Sequence, residues 1–404
     1  MSEQRSYDVE GVMLPQPFKV RRLGHFGVDL EDIQRGLRFY VDDLGFRITD
    51  IRNLDDLPRA RHLIEGSPDP NLYFTSHNSD HHAFLINHKA ISRNMGATRD
   101  NITVNQLSWQ VGSLKEVVDG HDFLTAAGAD VIRIGRDMPG ANWHVYFRDP
   151  DGHQNELYYG MEQLGWQRHS RPEIMYDRGF RERPELPQMS EAAEIEQAVQ
   201  SGIDIHSGYT PDRTAAAEYD VGGVLLPRPF KITRIGPAAL FVKDVSRSVE
   251  FYTRLMGFQL TEETLVEGQR CAFLRAGSEH HVLAFYPDSL RDRLGLSAHS
   301  TLAAFGLEVG SYRQLCDAVA FLKDKGWHFI DNLPSGLFPG IDYAAFVVDP
   351  EGHCMMLYYY MEQIGWDGKP RPADQRRAVQ APWPDALPPL SDTYADQIFQ
   401  GPLG

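Results

Sequence analysis

The chain has 404 residues and a formal net charge of −16, from 40 basic and 56 acidic side chains. This length is enough for two or three domains, and the acidic excess argues against nucleic acid and anionic membranes as partners, because both attract basic patches. The three cysteines form no disulfide framework, the first residues lack the apolar core of a signal peptide, and no apolar run could span a membrane, so the sequence predicts a cytoplasmic protein.

An internal repeat divides the chain into two homologous halves. The segment Y-D-V-E-G-V-M-L-P-Q-P-F-K at residues 7–19 recurs as Y-D-V-G-G-V-L-L-P-R-P-F-K at residues 219–231, and R-D-P-D-G-H at 148–153 recurs as V-D-P-E-G-H at 348–353. Repetition on this scale indicates duplicated domains. The predicted segments are a first domain at 1–166, a linker with a helix near 191–200 at 167–212, a second domain at 213–368 and a proline-rich tail at 369–404.

Each domain is itself double, as the first domain shows. Strand-forming residues are followed by apolar residues at helical spacing and by short strands, and the same order then starts again. Ser113 and Glu116 form a capping box before the second helix. The predicted elements in chain order are a strand at 22–29, a helix that ends at Gly45, about a dozen extra residues within 53–72, strands at 83–86 and 104–111, a helix that ends near Gly128, and strands at 131–134, 143–147 and 156–159. The fold class is therefore predicted to be α+β, with four βαβββ modules paired into two domains.

Three polar residues of the first domain lie on predicted strands. His25 is in L-G-H-F-G-V, Gln106 is in V-N-Q-L-S-W-Q-V, and Glu156 is on the last strand. If the two modules form one sheet curved around a cleft, these side chains converge, with Asn105 as the alternative to Gln106. One imidazole, one amide oxygen and one carboxylate can hold a divalent metal and leave positions open for water or substrate.

The second domain is an internal control for this site. It carries Pro237, Ala304 and Met356 at the three corresponding positions, while the surrounding turns, glycines and aromatic residues remain. Independent surface residues need not be lost as a set, whereas the ligands of a retired metal site should be. The sequence therefore predicts one metal site, in the first domain.

Aromatic and histidine residues near the triad are candidates for catalysis. Tyr146 corresponds to Phe346 and so loses only its hydroxyl in the second domain, which indicates that the phenol acts by hydrogen bonding or chemistry. His144, on the same strand, is expected to line the cleft.

Two histidine motifs persist in both domains. The pair His81–His82 recurs as residues 280–281, so His82 is either an acid/base group or a structural residue. His153, in the turn motif, recurs as His353 and is expected to be structural.

Four motifs resemble the vicinal oxygen chelate superfamily and, within it, the type I extradiol ring-cleaving dioxygenases. They are L-G-H-F-G-V, H-H-A-F-L-I, G-R-D-M-P-G-A-N-W-H-V-Y-F and R-D-P-D-G-H-Q-N-E-L-Y-Y. The resemblance covers both domains but neither the linker nor the tail. It implies paired βαβββ modules that form a half-open barrel around the metal, in agreement with the module count.

The resemblance also implies roles for individual residues. His25 and Glu156 correspond to metal ligands, His82 to the acid/base histidine beside the metal, and Tyr146 to the active-site tyrosine. Gln106 stands where the dioxygenases have a second histidine ligand, and in this respect the site is similar to that of glyoxalase I, a metal-dependent isomerase of the superfamily.

Two further features depart from the dioxygenase pattern or extend it. Asp137 and Asn142 are expected on the substrate side, and Asp137 replaces a histidine that is usual there. The metal would lie in the N-terminal domain, whereas most two-domain dioxygenases of this type carry it in the C-terminal one.

The resemblance implies a homo-oligomeric dioxygenase that cleaves a catechol- or hydroquinone-like ring, with O₂ as co-substrate and Fe(II), or else Mn(II), as the metal. The alternative is a glyoxalase-type lyase or isomerase that uses Zn or Ni to stabilise an enediolate without O₂. A third reading is a non-catalytic small-molecule binding protein of the same fold.

Overall fold

The computed structural model describes residues 6–136, 142–164, 169–175, 182–210, 216–297, 299–331, 333–334, 336–365, 367–376, 379 and 382–387. Two short hairpins precede the domains, and each domain is built on an eight-stranded sheet. This architecture confirms the predicted α+β fold of four paired βαβββ modules.

The first domain contains two modules in sequence. Its elements are the hairpin strands β1 (Tyr7–Val9) and β2 (Val12–Leu14), then β3 (Arg22–Leu30), α1 (Ile33–Leu37, continued by a wider helical turn at Arg38–Asp43), β4 (Arg47–Asn53), β5 (Asn71–Ser76), β6 (Phe84–His88), α2 (Lys89–Asn94), β7 (Val104–Gln110), α3 (Leu114–Ala126), β8 (Asp130–Gly135), β9 (Trp143–Arg148) and β10 (Gln154–Tyr159).

The second domain repeats this order after the linker helix. Its elements are α4 (Glu191–Gln200) in the linker, the hairpin strands β11 (Tyr219–Val221) and β12 (Val224–Leu226), then β13 (Ile232–Val242), α5 (Val245–Arg254), β14 (Gln259–Val266), β15 (Gln269–Arg275), β16 (Leu283–Pro287), α6 (Arg291–Leu294), β17 (Leu302–Val309), α7 (Tyr312–Asp324), β18 (Phe329–Ile330), β19 (Ala344–Val348) and β20 (Cys354–Tyr358).

The two modules of a domain meet at their first strands. In the first sheet the strand order is β4-β5-β6-β3-β7-β10-β9-β8, and in the second it is β14-β15-β16-β13-β17-β20-β19-β18. The central strands pair antiparallel, β3 with β7 and β13 with β17. Each sheet therefore curves into a half-open barrel whose two edge strands come from different modules.

Helix α3 begins at the predicted cap. The hydroxyl of Ser113 accepts from the Glu116 backbone N–H at 3.2 Å. The Glu116 carboxylate accepts from the backbone N–H of Lys19 at 2.8 Å, so it ties the helix start to the segment before β3. After the helix, Gly128 has a φ of +75°, a left-handed conformation that favours glycine.

The extra residues of the first domain lie between β4 and β5. They form two short 3₁₀ turns at Leu54–Asp56 and Pro58–Ile64. Leu54 and Ala60 pack with Phe74 in a small apolar cluster. In the second domain, β14 and β15 are joined directly at residues 267–268, so only the first domain contains the insertion.

One large apolar cluster of the described residues extends through both domains. The rings of Phe26 and Phe305, from the two central strands β3 and β17, stack with their centroids 3.8 Å apart. Trp109 of β7 contacts Phe258 of the second domain edge to face, with centroids 4.9 Å apart. The domains are therefore packed against each other as parts of one hydrophobic core.

The linker and the tail begin along equivalent paths. The backbone N–H of Arg171 donates to Glu162 at 2.9 Å, and that of Arg371 donates to Glu362 at 2.5 Å. Each segment then makes a 3₁₀ turn, at Glu173–Met175 in the linker and at Ala373–Gln375 in the tail. Within the described ranges, no helix combines the length and apolar character needed to cross a bilayer.

Candidate metal and active site

Four neighbouring strands of the first sheet carry the candidate residues. His25 lies opposite Ser108, Ser108 lies opposite Glu156, and Glu156 lies opposite Tyr146. Side chains opposite one another share a face of the sheet, and Gln106 shares it too because it is two residues from Ser108. The register therefore brings the predicted ligands and the tyrosine to one face.

A fully buried histidine–carboxylate contact forms the centre of the site. The Nε2 atom of His25 lies 2.6 Å from Oε2 of Glu156, and both side chains have no exposed surface. The Ser108 hydroxyl donates to the same oxygen at 2.6 Å. The Asn142 amide donates to the other oxygen, Oε1, at 2.8 Å. These bonds fix the orientation of the carboxylate.

Glu156 is held in its ionised form. Burial alone would raise the pKa of this carboxyl group, but the contact with His25, helped by His144 and Ser108, lowers the pKa of Glu156 to about 2. Its described partners are two imidazoles, one hydroxyl and the Asn142 amide, without a lysine or arginine. A buried anion with such partners is suited to a cation.

The orientation of β7 distinguishes Gln106 from Asn105. The Tyr146 hydroxyl donates to Oε1 of Gln106 at 3.4 Å, so this amide lies on the face of the site. Asn105 points to the opposite face, where its amide donates to Asn87 at 2.8 Å. Of the two alternatives, the structure places Gln106 beside the other candidates.

His82 lies directly beside the proposed ligands. Its ring centroid is 4.5 Å from that of His25, and Phe74 packs against it at 5.1 Å. Burial, and then the electrostatic interaction with His25 and His81, lowers the pKa of His82 well below its usual range. His82 is therefore neutral near pH 7.

A carboxylate–histidine–histidine chain leads to His82 and has a counterpart in the second domain. The Nδ1 atoms of His81 and His82 are 3.0 Å apart, and Nε2 of His81 lies 3.2 Å from Asp50. In the second domain the adjacent pair at 280–281 repeats the 3.0 Å contact, with Glu262 in the place of Asp50. The chain therefore has a structural role that does not depend on the metal site.

The remaining predicted residues have different positions. His144 lies on the face of the site, with Nδ1 at 3.8 Å from Oε1 of Glu156 and its ring 4.7 Å from that of Tyr146. Asn142, expected on the substrate side, is bonded to Glu156. Asp137 lies outside the described residues.

Three residues near the site were missed by the sequence analysis: Ser108, Asp50 and Tyr158. Tyr158 packs its ring 4.7 Å from that of His25. Its hydroxyl lies where a Cβ atom on Gly24 would be, 1.6 Å from that atom, so only glycine fits before His25. The sequence does carry this signal, because the Gly24 and Tyr158 positions hold glycine and tyrosine in both domains.

The corresponding face of the second domain is apolar. Ala304 and Met356 are buried in a cluster that also includes Phe273, Tyr286 and Phe338. Apolar side chains therefore stand at the positions of Gln106 and Glu156 in the second domain.

The donor chemistry of the first domain fits a divalent metal ion. Among the described residues, no three His, Cys, Asp or Glu side chains are arranged to hold a metal. The proposed ligand set has only two such members, His25 and Glu156, and takes its third donor from the Gln106 amide. The first two donor atoms are already 2.6 Å apart and buried, and the amide oxygen lies on the same face.

Solved structures show the same fold at low sequence identity. The Mn(II)-bound glyoxalase from Novosphingobium aromaticivorans has a TM-score of 0.52 and 16% identity, with 87% of this chain and 85% of that chain covered. The 2,3-dioxygenase LapB from Pseudomonas sp. KL28 has a TM-score of 0.55 and 17% identity, with coverage of 87% and 96%. Homoprotocatechuate 2,3-dioxygenase from Arthrobacter globiformis has a TM-score of 0.52 and 16% identity, with coverage of 87% and 83%.

A comparison with individual curated protein sequences finds no match. A family sequence model, in contrast, matches both domains. The sequence model of the Glyoxalase/Bleomycin resistance protein/Dioxygenase superfamily matches residues 22–157 and 234–357, which together make up more than half of the chain. These two segments contain the paired modules of the two sheets and confirm the resemblance seen in the motifs. The chain belongs to the glyoxalase/bleomycin resistance protein/dioxygenase superfamily.

Proposed function

We propose that the first domain is a metal-dependent dioxygenase that cleaves the ring of a catechol- or hydroquinone-like aromatic with O₂. The observation that carries this proposal is the buried contact between His25 and the ionised Glu156, with Gln106 and Tyr146 on the same face. Fe(II) is the metal expected first and Mn(II) second, because imidazole and carboxylate donors suit both.

His25, Glu156 and Gln106 would hold the metal. When bound, it would supply open coordination positions for the diol and O₂, and a charge that favours the ionised diol. Ser108 and Asn142 position the carboxylate through their hydrogen bonds at 2.6 and 2.8 Å.

His82 and Tyr146 are the proton-handling residues in this proposal. His82 is neutral and uses Nδ1 to contact His81, which leaves Nε2 to accept the proton of a substrate hydroxyl. The Tyr146 hydroxyl donates to Gln106 at 3.4 Å and can donate to a substrate oxygen instead.

A glyoxalase-type lyase or isomerase is the second candidate, and Gln106 favours it. A neutral amide donates less charge than an imidazole, so the metal would be more electrophilic. This suits stabilisation of an enediolate by Zn or Ni. Such a reaction needs no O₂, which separates it from the first candidate.

Oxygen uptake tests the proposal. The full-length protein, stripped of metal and reloaded anaerobically with Fe(II), Mn(II), Zn or Ni, is given a panel of catechols and hydroquinones while O₂ consumption is recorded. We expect uptake with Fe(II) or Mn(II) and its loss in Glu156→Gln. Uptake with none of the four metals would overturn the dioxygenase assignment, and turnover without O₂ would favour the second candidate.

A further inference from the structure

The second domain contains a cavity of about 700 Å³ at the open side of its half-barrel. Its walls come from the edge strands β14 and β18, from β19, from α7 and from the loop before β19. Tail residues Arg376, Val379 and Trp383 also line it, so the C-terminal segment covers the gap between the two edge strands. The volume is in the range of small-molecule sites, about 300–1,000 Å³.

This cavity is the counterpart of the candidate catalytic cleft. Its lining includes Phe346 and Ala344, which occupy the positions of Tyr146 and His144. The replacements remove a hydroxyl and an imidazole but leave the space. Phe338, whose ring centroid is 5.6 Å from that of Phe346, adds a second aromatic wall. The second domain has thus lost the metal donors and kept an apolar, aromatic chamber.

One corner of the cavity is polar and contains an ion pair. Glu262 and Thr264 lie two residues apart on β14, and both line the cavity. Arg376 binds both oxygens of Glu262 through its Nη atoms, at 2.8 and 2.5 Å. Burial opposes the charge of Glu262, but His280 and Arg376 lower its pKa to about 2, so the two charges of the pair cancel.

Two polar atoms in this corner have no hydrogen-bond partner among the described residues. They are Nε of Arg376 and Oγ1 of Thr264, and both atoms are buried. Unsatisfied buried groups are costly and therefore uncommon in folded proteins. An oxygen atom of a bound molecule would satisfy both, by accepting from Arg376 and by bonding to the threonine hydroxyl.

We propose that the second domain binds a neutral, flat aromatic molecule with one phenolic hydroxyl or carbonyl oxygen. The aromatic walls take the ring, and the corner of Arg376 and Thr264 takes the oxygen. An anionic ligand is disfavoured because the charged side chains that line the cavity are three acidic and two basic ones: Glu262, Asp331 and Asp342 against Lys323 and Arg376. This site needs no metal and does not depend on the activity proposed for the first domain.

Calorimetric titration of the full-length protein with 2-naphthol tests this proposal, with naphthalene as the matched ligand that lacks the oxygen. We expect a binding site that prefers 2-naphthol by about 3- to 10-fold, the worth of one hydrogen bond. Thr264→Val should remove much of that preference and leave naphthalene binding unchanged.

Two cavity-filling variants locate the site. Ala344→Trp and, on the neighbouring edge strand, Ile330→Trp, which lies opposite Phe346, should each weaken 2-naphthol binding at least about ten-fold, because they occupy the space that the ring needs. Glu156→Gln, in the other domain, should leave this binding unchanged. Circular dichroism identifies any variant that fails to fold, in which case the other decides. No binding to the parent protein, binding unaffected by a folded cavity-filling variant, or binding abolished by Glu156→Gln would each overturn the proposal.

Discussion

His153 of the first domain and Thr301 of the second are joined across the domain boundary, with 2.9 Å between Nε2 and Oγ1. The other ring nitrogen, Nδ1, lies 3.0 Å from Asp149, which also accepts from the hydroxyl of Tyr252 in the second domain at 3.1 Å. All of these groups are buried, so the turn motif that the sequence marks as structural serves to bind one domain to the other.

The second domain makes the reciprocal set of contacts. Nε2 of His353 lies 2.7 Å from Oγ1 of Thr103, and Nδ1 lies 2.9 Å from Asp349. The Tyr40 hydroxyl donates to Asp349 at 2.8 Å. Two equivalent polar networks therefore hold the domains in one relative orientation, which explains why the motif persists in the domain that lost the metal ligands.

Removal of the Thr301 hydroxyl should destabilise the protein. Thr301→Val leaves a buried nitrogen of His153 without its partner, and we expect a loss of about 1–3 kcal/mol in the free energy of unfolding. Denaturant titration measures it. Thr125→Val is the control, because that hydroxyl is exposed and bonds within α3, and its effect should stay within about 0.5 kcal/mol. Equal effects of the two changes would show that the interdomain bond does not contribute.

Acid should weaken the same network. Burial opposes ionisation of Asp149, but contacts with His153 lower its pKa below the usual value of 3.8. Because the pKa is lower in the folded state, the stabilisation is complete above about pH 4 and is lost as the pH falls through the lowered folded pKa. Asp149→Asn should therefore be less stable at pH 7 and lose less stability between pH 5 and pH 3. Asp292→Asn, at an exposed side chain, should follow the parent curve.

Metal binding should depend on the first domain alone. Glu156→Ala removes the only carboxylate among the proposed ligands, so we expect metal content to fall from one ion per chain to almost none. Met356→Ala, at the equivalent position of the second sheet, should retain the full content. Elemental analysis after anaerobic loading gives the stoichiometry. Two tightly held ions per chain would contradict the assignment.

Replacement of His82 separates a ligand from a proton acceptor. His82→Ala should retain most of the metal, because His82 contacts His81 and is not hydrogen-bonded to Glu156. The change should slow turnover by about 10²-fold or more. His281→Ala removes the same ring from the equivalent chain in the second domain and should leave turnover near that of the parent. If His82→Ala removes the metal, His82 is itself a ligand, and the glyoxalase-type function is favoured over the dioxygenase.

The fold was predictable because its signals are local and repeated. The four modules follow from strand and helix periodicity, and helix α4 at Glu191–Gln200 lies where its pattern placed it. His25, Gln106 and Glu156 could be predicted as a set without knowledge of the strand register, because all three positions are replaced together in the second domain. Gln106 was distinguished from Asn105 only by the structure, because neighbouring strand residues point to opposite faces.

Other contacts could not be predicted because they join residues that are remote in the sequence. Ser108 reaches Glu156 across two parallel strands, and the Asp50–His81 contact depends on the register of β4 beside β5. The attachment of helix α4 was missed for the same reason. It is held by a buried pair in which the guanidinium of Arg136 binds both oxygens of Glu194, at 2.5 and 2.8 Å.

The hydroxyl of Tyr146 should matter for turnover but not for folding. The second domain carries Phe346 at the same place in its sheet, opposite Met356 as Tyr146 is opposite Glu156, so the fold accepts phenylalanine there. We expect Tyr146→Phe to keep the parent metal content and unfolding temperature. Turnover should fall by about 10²-fold if the hydroxyl transfers a proton, or by about ten-fold if it only donates a hydrogen bond.

The reverse change provides the matched control for that experiment. Phe346→Tyr adds the same hydroxyl to the second domain, where the three ligand positions hold Pro237, Ala304 and Met356, and should leave turnover unchanged. Steady-state rates of the three proteins, measured with one saturating aromatic substrate and equal metal content, give the comparison. The hydroxyl removed in Tyr146→Phe also donates to Gln106. A fall in metal content would therefore show that the phenol positions Gln106 as a ligand. A Tyr146→Phe enzyme that turns over at the parent rate would remove the phenol from the ring-cleavage mechanism.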